Sequence, residues 1–440
     1  MIKLNIKDDS RKIKKGDTFI ALKKVNDGHD YILDAIKNGA TKIIAEHGNF
    51  EVETVTVSDT HNYLVDYLYD NYYDKIKNLK LIGMTGTNGK TTTCFLIYQA
   101  LNKLNIKCAY IGTIGFYLDK KVRNLNNTTP DILEIYELLL ECVENEVEYV
   151  VMECSSQALA MHRLDRLKFD YGIFSNITED HLDYHKTIDN YIKAKQLLFD
   201  QVNFKTLINY DDPYKDYFMK DNSITYGLNG GDYNLTDYEI TLEGSTFKVN
   251  GIGYKTKLIG KHNLYNVLVV ISFLSELNLD PQIVSELTCP PGRMDMISKD
   301  GNLVVVDYAH TPDAVEKIIA TVRELNPNKI ITIIGCGGDR DSFKRPIMSR
   351  LACAGSDYVI FTNDNPRGEN PNNIISDMLH NLDKYNYEII LNRKKAIIKG
   401  IQMLDKNDIL LLLGKGHENY QIIDGVKYDF DDRKIVLENI

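Results

Sequence analysis

A chain of 440 residues is too long for one ordinary hydrophobic core, and 43% hydrophobic with 26% charged residues is typical of a soluble globular protein with two or three domains. The formal charge of -10 disfavours non-specific nucleic-acid binding, which needs basic surfaces. Seven scattered cysteines without a C-x-x-C pair favour free thiols in a reducing compartment. The first residues lack the apolar run of a secretion signal, and the longest aliphatic run, Ile409 to Leu413, cannot span a bilayer, so we expect a cytoplasmic protein without membrane insertion.

The predicted elements fall into three regions along the chain. Residues 1–79 contain a predicted helix and three predicted strands, in the segments YILDAIKNGA, GDTFIAL, TKIIAE and VETVTVSD. From residue 80 to 292, strands in KLIGMTG, EYVVMECSS and YGIFSNIT alternate with helices, and residues 293–440 repeat this alternation with LVVVDYAH, KIITIIGCGGD, YVIFTNDNPR, YEIILN and ILLLLGKGHE. The alternation predicts an α/β fold with mostly parallel sheets, and the polar residues that follow the strands predict ligand sites at the strand ends.

One loop has the spacing of a phosphate-binding loop. The stretch MTGTNGKT ends a predicted strand and opens a helix, and it differs from G-x-x-x-x-G-K-[ST] only in Met84, which replaces the first glycine. Gly86 and Gly89 let backbone N–H groups turn towards phosphate, Lys90 adds a cation, and the hydroxyl of Thr91 can bind Mg²⁺. An ordinary turn is the alternative, but the strand–loop–helix context favours nucleotide binding.

A helical stretch further along, NYIKAKQLLFDQV, places a lysine among apolar residues. Tyr191, Lys195, Leu198 and Val202 are predicted to share one helix face, whereas Lys193 lies elsewhere. A lysine that extends its ammonium group into water is the alternative. A desolvated lysine instead has a lowered pKa, and its neutral amine can react with CO₂ to form an anionic carbamate.

Three other polar residues have less specific signals. Glu153 follows the apolar strand YVVM, where a carboxylate is costly without a partner, and a structural ion pair is one alternative. His181 in EDHLDYH is a lone histidine, for which a packed or surface imidazole is the usual interpretation. In NDNPRGENP, Pro366 stiffens the turn before Arg367, whose guanidinium could bind a carboxylate, although this stretch alone favours an ordinary surface arginine.

Motifs along nearly the whole chain resemble those of the Mur ligase family, which includes folylpolyglutamate synthetases and whose phosphate loop also lacks the first glycine. In chain order these motifs are TGTNGKTTT, TTPD, MECSSQAL, DHLDYH, YIKAKQLLF, GKHNLYN, PGRMD, DYAHTPDA, GCGGDRD, DNPR and GKGHE. The set is similar to the branch that adds the third residue of the peptidoglycan stem peptide. The segment that begins DSRKIKKGDTFIAL resembles the UDP-binding domain of that branch, although this domain is shorter here.

This resemblance implies a function for each region and for named residues. It implies a UDP-sugar-binding domain at 1–79, a central ATP-binding domain at 80–292 and a Rossmann-like amino-acid-binding domain at 293–440. The implied ATP-binding residues are Thr85, Gly86, Thr87, Asn88, Gly89, Lys90, Thr91, Thr92, His262, Asn263, Asn266, Arg293 and Asp307. The implied Mg²⁺ ligands are Thr91, Glu153, His181 and carbamylated Lys195, with Lys90, His181 and Lys195 as catalytic residues. Ser10, Thr128, Thr129, Ser155 and Arg163 are assigned to the UDP-sugar-peptide, and Arg340, Asp364, Asn365, Arg367, Gly414 and Glu418 to the amino acid.

The implied reaction joins an amine to a carboxylate. ATP would phosphorylate the γ-carboxylate of D-Glu in UDP-MurNAc-L-Ala-D-Glu, and the amine of meso-diaminopimelate would then attack the acyl phosphate. Arg340 would pair one carboxylate of the amino acid, Arg367 and Asn365 the distal carboxylate, and Glu418 the distal ammonium. L-Lysine or another diamino acid is the main alternative substrate. Less favoured alternatives are a folylpolyglutamate synthetase, a motor or switch NTPase and an inactive binding module. We expect the protein to be a monomer.

Overall fold

The computed structural model describes residues 4–24, 26–241, 243–299, 302–382 and 385–440. The chain divides into two compact units, Met1–Asp232 and Tyr233–Ile440. Both units combine helices with parallel strands, so the predicted α/β class is confirmed. Within the described residues, no helix is long and apolar enough to cross a membrane.

The first unit contains twelve strands and seven α-helices in its described part. In chain order these are β1 (Ile6–Lys7), β2 (Thr18–Ile20), α1 (Ile32–Lys37), β3 (Lys42–Ala45), β4 (Glu53–Thr56), α2 (Thr60–Ile76), β5 (Lys80–Thr85), α3 (Lys90–Lys103), β6 (Cys108–Gly112), β7 (Gly115–Tyr117), β8 (Lys121–Arg123), α4 (Ile132–Glu144), β9 (Tyr149–Glu153), α5 (Ser156–Ala160), β10 (Phe169–Phe174), α6 (Leu182–His185), α7 (Ile188–Phe199), β11 (Val202–Asn209) and β12 (Ser223–Gly227).

A small parallel sheet forms the N-terminal part of this unit. Its strand order is β1-β2-β3-β4, and Phe19 and Ile43 pack against Ile32 and Ala35 of α1 in a core of their own. Helix α2, which the sequence analysis did not predict, follows this sheet and begins where the side chain of Asp59 accepts a hydrogen bond from the backbone N–H of Asn62. Its buried face packs into the core of the larger sheet that follows.

The larger sheet of the first unit positions the phosphate loop. Its strands are ordered β12-β11-β10-β5-β9-β6-β7-β8, and those from β12 to β6 run parallel. Strand β5 pairs with β10 on one side and with β9 on the other, in a register that sets Met84 opposite Glu153 and Thr85 opposite Phe174. The loop after β5, the end of β9 and the residues after β10 therefore meet at one edge of the sheet.

The second unit contains eleven strands and six α-helices in its described part. These are β13 (Tyr233–Thr241), β14 (Gly244–Val249), β15 (Ile252–Thr256), α8 (Lys261–Glu276), β16 (Asp295–Lys299), β17 (Asn302–Asp307), α9 (Pro312–Arg323), β18 (Ile330–Ile334), α10 (Lys344–Gly355), β19 (Tyr358–Phe361), α11 (Pro371–Met378), β20 (Tyr387–Ile389), α12 (Arg393–Gln402), β21 (Ile409–Leu413), β22 (Tyr420–Ile423), β23 (Val426–Asp429) and α13 (Asp432–Asn439).

Strands β13, β14 and β15 form an antiparallel arrangement that the strand–helix alternation did not predict. The main sheet of this unit has the order β16-β17-β21-β18-β19-β20, with all but β16 parallel. Leu410 and Leu412 face one buried cluster and Leu411 and Leu413 the other, which explains the continuous apolar run of β21. The segments that follow β17, β21, β18 and β19 lie at one edge of this sheet.

The helix that carries Lys195 is shorter than predicted. Helix α7 ends at Phe199, and Val202 is the first residue of β11 and only half buried, so its predicted place on the apolar helix face is wrong. The rest of the prediction is confirmed, because Tyr191, Lys195 and Leu198 are each at most 1% exposed whereas Lys193 is exposed.

Candidate active site

The phosphate-loop candidate packs tightly against the residues that follow β10. Gly86 has φ +146°, and a Cβ atom there would lie 1.9 Å from Oγ of Ser175, so only glycine fits. Gly89 has φ +89° and directly precedes α3. The backbone N–H of Thr87 donates to the carbonyl of Asn176 at 2.8 Å, and Ser175 Oγ donates to the carbonyl of Asn88 at 2.7 Å. These contacts hold the loop backbone in place.

Two lysine side chains share one carbonyl of this loop. Lys90 Nζ donates to the carbonyls of Gly86 and Thr87 at 2.8 and 2.9 Å, and Lys195 Nζ donates to the same Gly86 carbonyl at 2.8 Å. Lys195 is 1% exposed. Burial, and secondarily the charge of Lys90, holds the pKa of Lys195 well below its ordinary value. The predicted desolvation of Lys195 is therefore present in the structure.

Tyr191 links the loop to the helix that carries Lys195. Lys195 Nζ lies 4.3 Å from the centroid of the Tyr191 ring, and the Tyr191 hydroxyl is 3.1 Å from Thr87 Oγ1. Burial raises the pKa of Tyr191 to about 12, which keeps its hydroxyl protonated. Tyr191 was predicted only to lie on the apolar face of the helix. Its contact with the loop was not predicted, because Thr87 is 104 residues away in sequence.

Glu153 is buried and surrounded by hydrogen-bond donors. Its Oε2 accepts from Thr91 Oγ1 at 2.8 Å and from Thr113 Oγ1 at 3.1 Å. Its Oε1 accepts from the backbone N–H of Thr113 at 2.9 Å and from the hydroxyl of Tyr110. Thr91 and Glu153, two of the predicted Mg²⁺ ligands, are thus in contact. Thr113 follows β6 at the same sheet edge, so it could have been predicted as a polar residue at a strand end. Tyr110 lies within a strand, and its sequence position did not indicate a role in the site.

His181 is more exposed than the other predicted metal ligands. It has φ +53°, its Nε2 lies 3.5 Å from Oδ2 of Asp180, and its ring centroid is 6.5 Å from that of Tyr191. Its described contacts do not include Thr91 or Glu153. Within the described residues, no three His, Cys, Asp or Glu side chains converge on one point as a metal site. This donor set still fits Mg²⁺, which usually keeps several waters and shares its coordination with substrate phosphates.

Most residues assigned to the UDP-sugar-peptide lie beside Glu153. Thr129 Oγ1 donates to the Glu153 carbonyl at 2.7 Å and accepts from the N–H of Ser155 at 3.0 Å. Arg163 Nη1 donates to the Thr129 carbonyl at 2.9 Å, and Thr128 Oγ1 is 3.1 Å from the hydroxyl of Thr113. Four of the five predicted residues are therefore brought together.

Ser10, the fifth residue, lies in the N-terminal sheet region. It is 7% exposed, and its carbonyl accepts from Asn38 Nδ2 at 2.9 Å. Ion pairs connect Asp8, two residues before Ser10 in sequence, with Arg163 of the other group. Lys24 pairs with Asp8 and with Asp131, and Asp131 accepts from Arg163 Nε at 2.9 Å.

In the second unit, the residues predicted to bind the nucleoside part of ATP begin helix α8. Asn263 Nδ2 donates to the Ile259 carbonyl at 2.9 Å, and Asn266 Nδ2 donates to Asn263 Oδ1 at 2.9 Å. Both asparagines are buried, whereas His262 is exposed at the first turn. The two buried amides stabilise the start of this helix, as expected for a capped helix start, and ATP contacts for them stay a prediction.

Arg293 and Asp307 lie close together in the same unit. The guanidinium of Arg293 is stacked 5.0 Å from the ring centroid of Tyr308, and its buried Nε has no hydrogen-bond partner among the described residues. Asp307 accepts from the backbone N–H groups of Met294 and Ala309 at 2.8 Å each. An unsatisfied buried donor is costly, so a ligand that accepts a hydrogen bond from Arg293 fits here.

Two arginines assigned to the amino acid flank Gly337. A Cβ atom on Gly337 would lie 2.8 Å from Nη1 of Arg367 and 3.8 Å from Cγ of Arg340. Arg367 has φ +54° and donates from Nη1 to the Gly338 carbonyl at 2.9 Å. The structure thus brings the guanidinium of Arg367 to the loop that carries Arg340.

The other residues assigned to the amino acid form a second group at the same sheet edge, and together with Arg340 and Arg367 they are called the amino-acid cluster. These residues are Asp364, Asn365, Gly414 and Glu418. A Cβ atom on Gly414 would lie 2.7 Å from Oδ2 of Asp364. Asn365 Nδ2 donates to Glu418 Oε2 at 2.7 Å, and the buried Lys415 contacts both of these side chains. Lys415 lies within the predicted motif GKGHE but was not among the predicted residues.

Ion pairs of the buried Arg345 with two partly exposed carboxylates hold the two arginine-bearing loops together. Arg345, which is 1% exposed, donates to both carboxylate oxygens of Glu369 at 2.7 Å and to Asp377 at 2.8 Å. It also donates to the Gly337 carbonyl at 3.1 Å, and Glu369 accepts from the N–H of Asp339 at 2.9 Å. Hydrogen bonding to Arg345 lowers the pKa of Glu369 to about 2. The sequence gave no local signal for this pair.

The phosphate loop next to a buried carboxylate, in a largely parallel sheet, defines a nucleotide-dependent enzyme of the α/β class. Residues 84–274 match the Mur ligase middle domain, and residues 292–416 match the Mur ligase glutamate ligase domain. The chain therefore belongs to the Mur ligase family.

Full-length relatives and a solved structure agree with this membership. The UDP-N-acetylmuramoyl-L-alanyl-D-glutamate--2,6-diaminopimelate ligase of Clostridium perfringens is 40% identical, covering 99% of this chain and 94% of that protein. The ligase of the same name from Cytophaga hutchinsonii is 41% identical, covering 98% and 93%. A solved structure of a protein with this name has a TM-score of 0.71 at 32% identity, covering 99% of this chain and 94% of the other.

Proposed function

We propose that this protein is an ATP-dependent ligase that joins meso-diaminopimelate to the γ-carboxylate of D-Glu in UDP-MurNAc-L-Ala-D-Glu, a step in the synthesis of peptidoglycan precursors. The observation that carries the proposal is the amino-acid cluster, in which Arg340 and Arg367 flank Gly337 and Asn365 contacts Glu418. The names of the full-length relatives support the same reaction.

The phosphate loop is the proposed site of phosphoryl transfer. Lys90, together with the backbone N–H groups of residues 86–91, would bind the β- and γ-phosphates of ATP once its ammonium leaves the loop carbonyls. Thr91, Glu153, His181 and Lys195 as a carbamate would hold Mg²⁺, which would neutralise charge on the transferring phosphoryl group. The low pKa of the buried Lys195 supplies the neutral amine that carbamate formation requires.

The acceptor is proposed to bind beside the same carboxylate. Thr128, Thr129, Ser155 and Arg163 would contact the sugar-peptide, with Ser10 towards the uridine. His262, Asn263, Asn266, Arg293 and Asp307 of the second unit would contact ATP. We further propose the domain boundaries 1–79, 80–292 and 293–440, a monomer, and a cytoplasmic location where ATP is available.

The amino-acid cluster matches the charges of meso-diaminopimelate. Arg340 would pair the carboxylate next to the attacking amine. Arg367 and Asn365 would bind the distal carboxylate, while Glu418 and Asp364 would attract the distal ammonium. L-Lysine lacks the distal carboxylate and would leave Arg367 without its partner, so lysine is the less favoured substrate.

The test is an assay of ADP release and product mass with UDP-MurNAc-L-Ala-D-Glu and one amino acid at a time. We expect turnover with meso-diaminopimelate and little with L-lysine or with no amino acid. Equal kcat/KM values for the two amino acids would contradict the proposed substrate. Turnover only with a folate and glutamate would instead favour a folylpolyglutamate synthetase.

A further inference from the structure

Lys415 is a fully buried lysine in the amino-acid cluster. Its side chain is 0% exposed, and it follows Gly414 at the end of β21. Its Nζ lies 3.2 Å from Oε2 of Glu418 and 3.2 Å from Oδ1 of Asn365. A buried ammonium needs such partners, because an unpaired charge in a protein interior is very costly. Lys415 therefore has defined contacts with two residues of the proposed substrate site.

These contacts decide which end of the Asn365 amide faces which neighbour. Lys415 Nζ and the backbone N–H of Ile422, at 2.9 Å, both approach Oδ1, and both groups can only donate. Glu418 Oε2 approaches Nδ2 at 2.7 Å and can only accept when ionised. The reversed amide would set its NH₂ group against two donors and its oxygen against a carboxylate. Only one orientation satisfies all three neighbours.

The fixed orientation makes Asn365 a hydrogen-bond donor. Its NH₂ group carries two hydrogens, and one of them is directed to Glu418. The second can donate to an acceptor, and a substrate carboxylate is such an acceptor. An amide turned the other way would present its oxygen and repel that carboxylate.

We propose that Lys415 is a positioning residue that sets amino-acid specificity, by locking the Asn365 amide with its NH₂ group available to the distal carboxylate of a diamino-dicarboxylic acid. This inference rests on the proposed ligase function. Both described side-chain bonds of Glu418 end on Oε2. Its Oε1 is then the atom assigned to the distal ammonium of the substrate.

The experiment compares Lys415→Met with the matched control Lys427→Met. Lys427 is exposed on β23 and lies 4.3 Å from the ring centroid of Tyr420, a ring that Lys415 also approaches at 5.7 Å. For each variant we measure kcat/KM for meso-diaminopimelate and for L-lysine. We also measure the KM values for ATP and for the UDP-sugar-peptide, and the melting temperature.

We expect Lys415→Met to lower the ratio of kcat/KM for meso-diaminopimelate over L-lysine by about ten- to a hundredfold, the range of a hydrogen bond to a charged group. The KM values for ATP and the UDP-sugar-peptide should stay unchanged, and Lys427→Met should behave as the unmodified enzyme. A purely structural role would instead lower the melting temperature and reduce activity with both amino acids equally, and that result would overturn the inference.

A second variant covers the case in which Lys415→Met does not fold. Asn365→Asp has nearly the same shape, and Lys415 can pair with one of its oxygens while the other replaces the NH₂ group. We expect the preference for meso-diaminopimelate to collapse in this variant, and an unchanged preference would overturn the inference. Failure of the unmodified enzyme to use any amino acid would instead refute the proposed function, so the two failures are distinguishable.

Discussion

The phosphate-loop region and the amino-acid cluster each contain a buried lysine, but they are built in different ways. Lys195 donates to the neutral carbonyl of Gly86, a carbonyl that a second cation also uses. Lys415 instead pairs with the carboxylate of Glu418. Burial beside another cation favours a neutral, reactive amine, whereas burial beside a carboxylate favours a fixed ion pair. The partner, and not burial alone, therefore decides what a buried lysine can do.

The two regions also differ in how their geometry is fixed. Backbone conformation shapes the loop, through Gly86 and Gly89 and the adjacent strand. Long-range side-chain pairs shape the amino-acid cluster, with Arg345 and Glu369 joining its loops. Changes in the first region should therefore affect chemistry, and changes in the second should affect the choice of amino acid.

The largest effect is expected at Arg367. The unmodified enzyme should prefer meso-diaminopimelate over L-lysine on the order of 10⁴-fold, because an unpaired guanidinium in a confined site rejects the smaller amino acid. Arg367→Ala should lose most of this preference, measured as the ratio of kcat/KM values. Arg350→Ala, which removes an exposed arginine of α10, is the control and should keep the preference. A variant at Arg367 that still discriminates fully would remove this residue from the specificity site.

Lys90→Ala should reduce turnover about 10³-fold, because a cation at the transferring phosphate stabilises the charge of the transition state. The rate of ADP release checks this, with Lys103→Ala at the exposed end of the same helix as control. Near-normal ADP release in Lys90→Ala would refute the assignment of the loop to ATP.

Lys195→Ala should lose activity about 10²-fold or more, since loss of a group that orients a metal ligand or supplies one typically costs this much. Added bicarbonate should not restore activity, because no amine remains to form a carbamate. The carbamate itself should give a carbonyl signal by NMR when the unmodified enzyme is loaded with ¹³CO₂ and Mg²⁺. Lys193→Ala, an exposed lysine of the same helix, should retain both activity and signal. An active, Mg²⁺-loaded enzyme with a free amine at Lys195 would refute the carbamate.

The smallest effect concerns stability and pH. The pKa of Glu369 is lowered to about 2 from an ordinary 4.5, so its contribution to stability is present above pH 4.5 and lost as the pH falls towards 2. Glu369→Gln should lower the free energy of unfolding by about 2 kcal/mol at neutral pH and flatten this acid dependence. Denaturant unfolding at several pH values measures both. An unchanged slope between pH 4.5 and 2 would mean that the Arg345 pair does not stabilise the folded state.

Much of the fold followed from periodicity and strand-end motifs. The parallel strands β5, β9 and β10, and the β17–β21 alternation, were predicted because apolar runs end in glycine or polar residues. Helix α2 was missed because tyrosines and charged residues alternate along it, and only its packing distinguishes the buried face. Strand β13 gave a weak signal, because its pairing with β14 shifts register between Thr236 and Glu239; β14 and β15, which pair without a shift, were overlooked.

Site residues were predicted where a short sequence motif indicates the chemistry of its own side chains. Lys90 and Thr91 were found with their roles from the spacing of the loop, whereas Glu153 was found from its strand position and the resemblance supplied its role. Tyr191, Thr113 and Arg345 contact side chains that are 22 to 104 residues away in sequence. No local sequence pattern predicts such contacts. Lys415 was overlooked although its motif was noted, because its contacts with Glu418 and Asn365 are evident only in the folded structure.

The shared carbonyl of Gly86 makes the two lysines of the loop thermodynamically dependent on each other. Lys90 and Lys195 both donate to this one oxygen, and the charge of Lys90 disfavours a second charge on Lys195. Removing Lys195 leaves the Gly86 carbonyl to Lys90 alone, and removing Lys90 takes a positive charge away from Lys195. The effects of the two single substitutions on nucleotide affinity should therefore not add, and a double-mutant cycle should show a coupling free energy between two residues 105 positions apart in sequence.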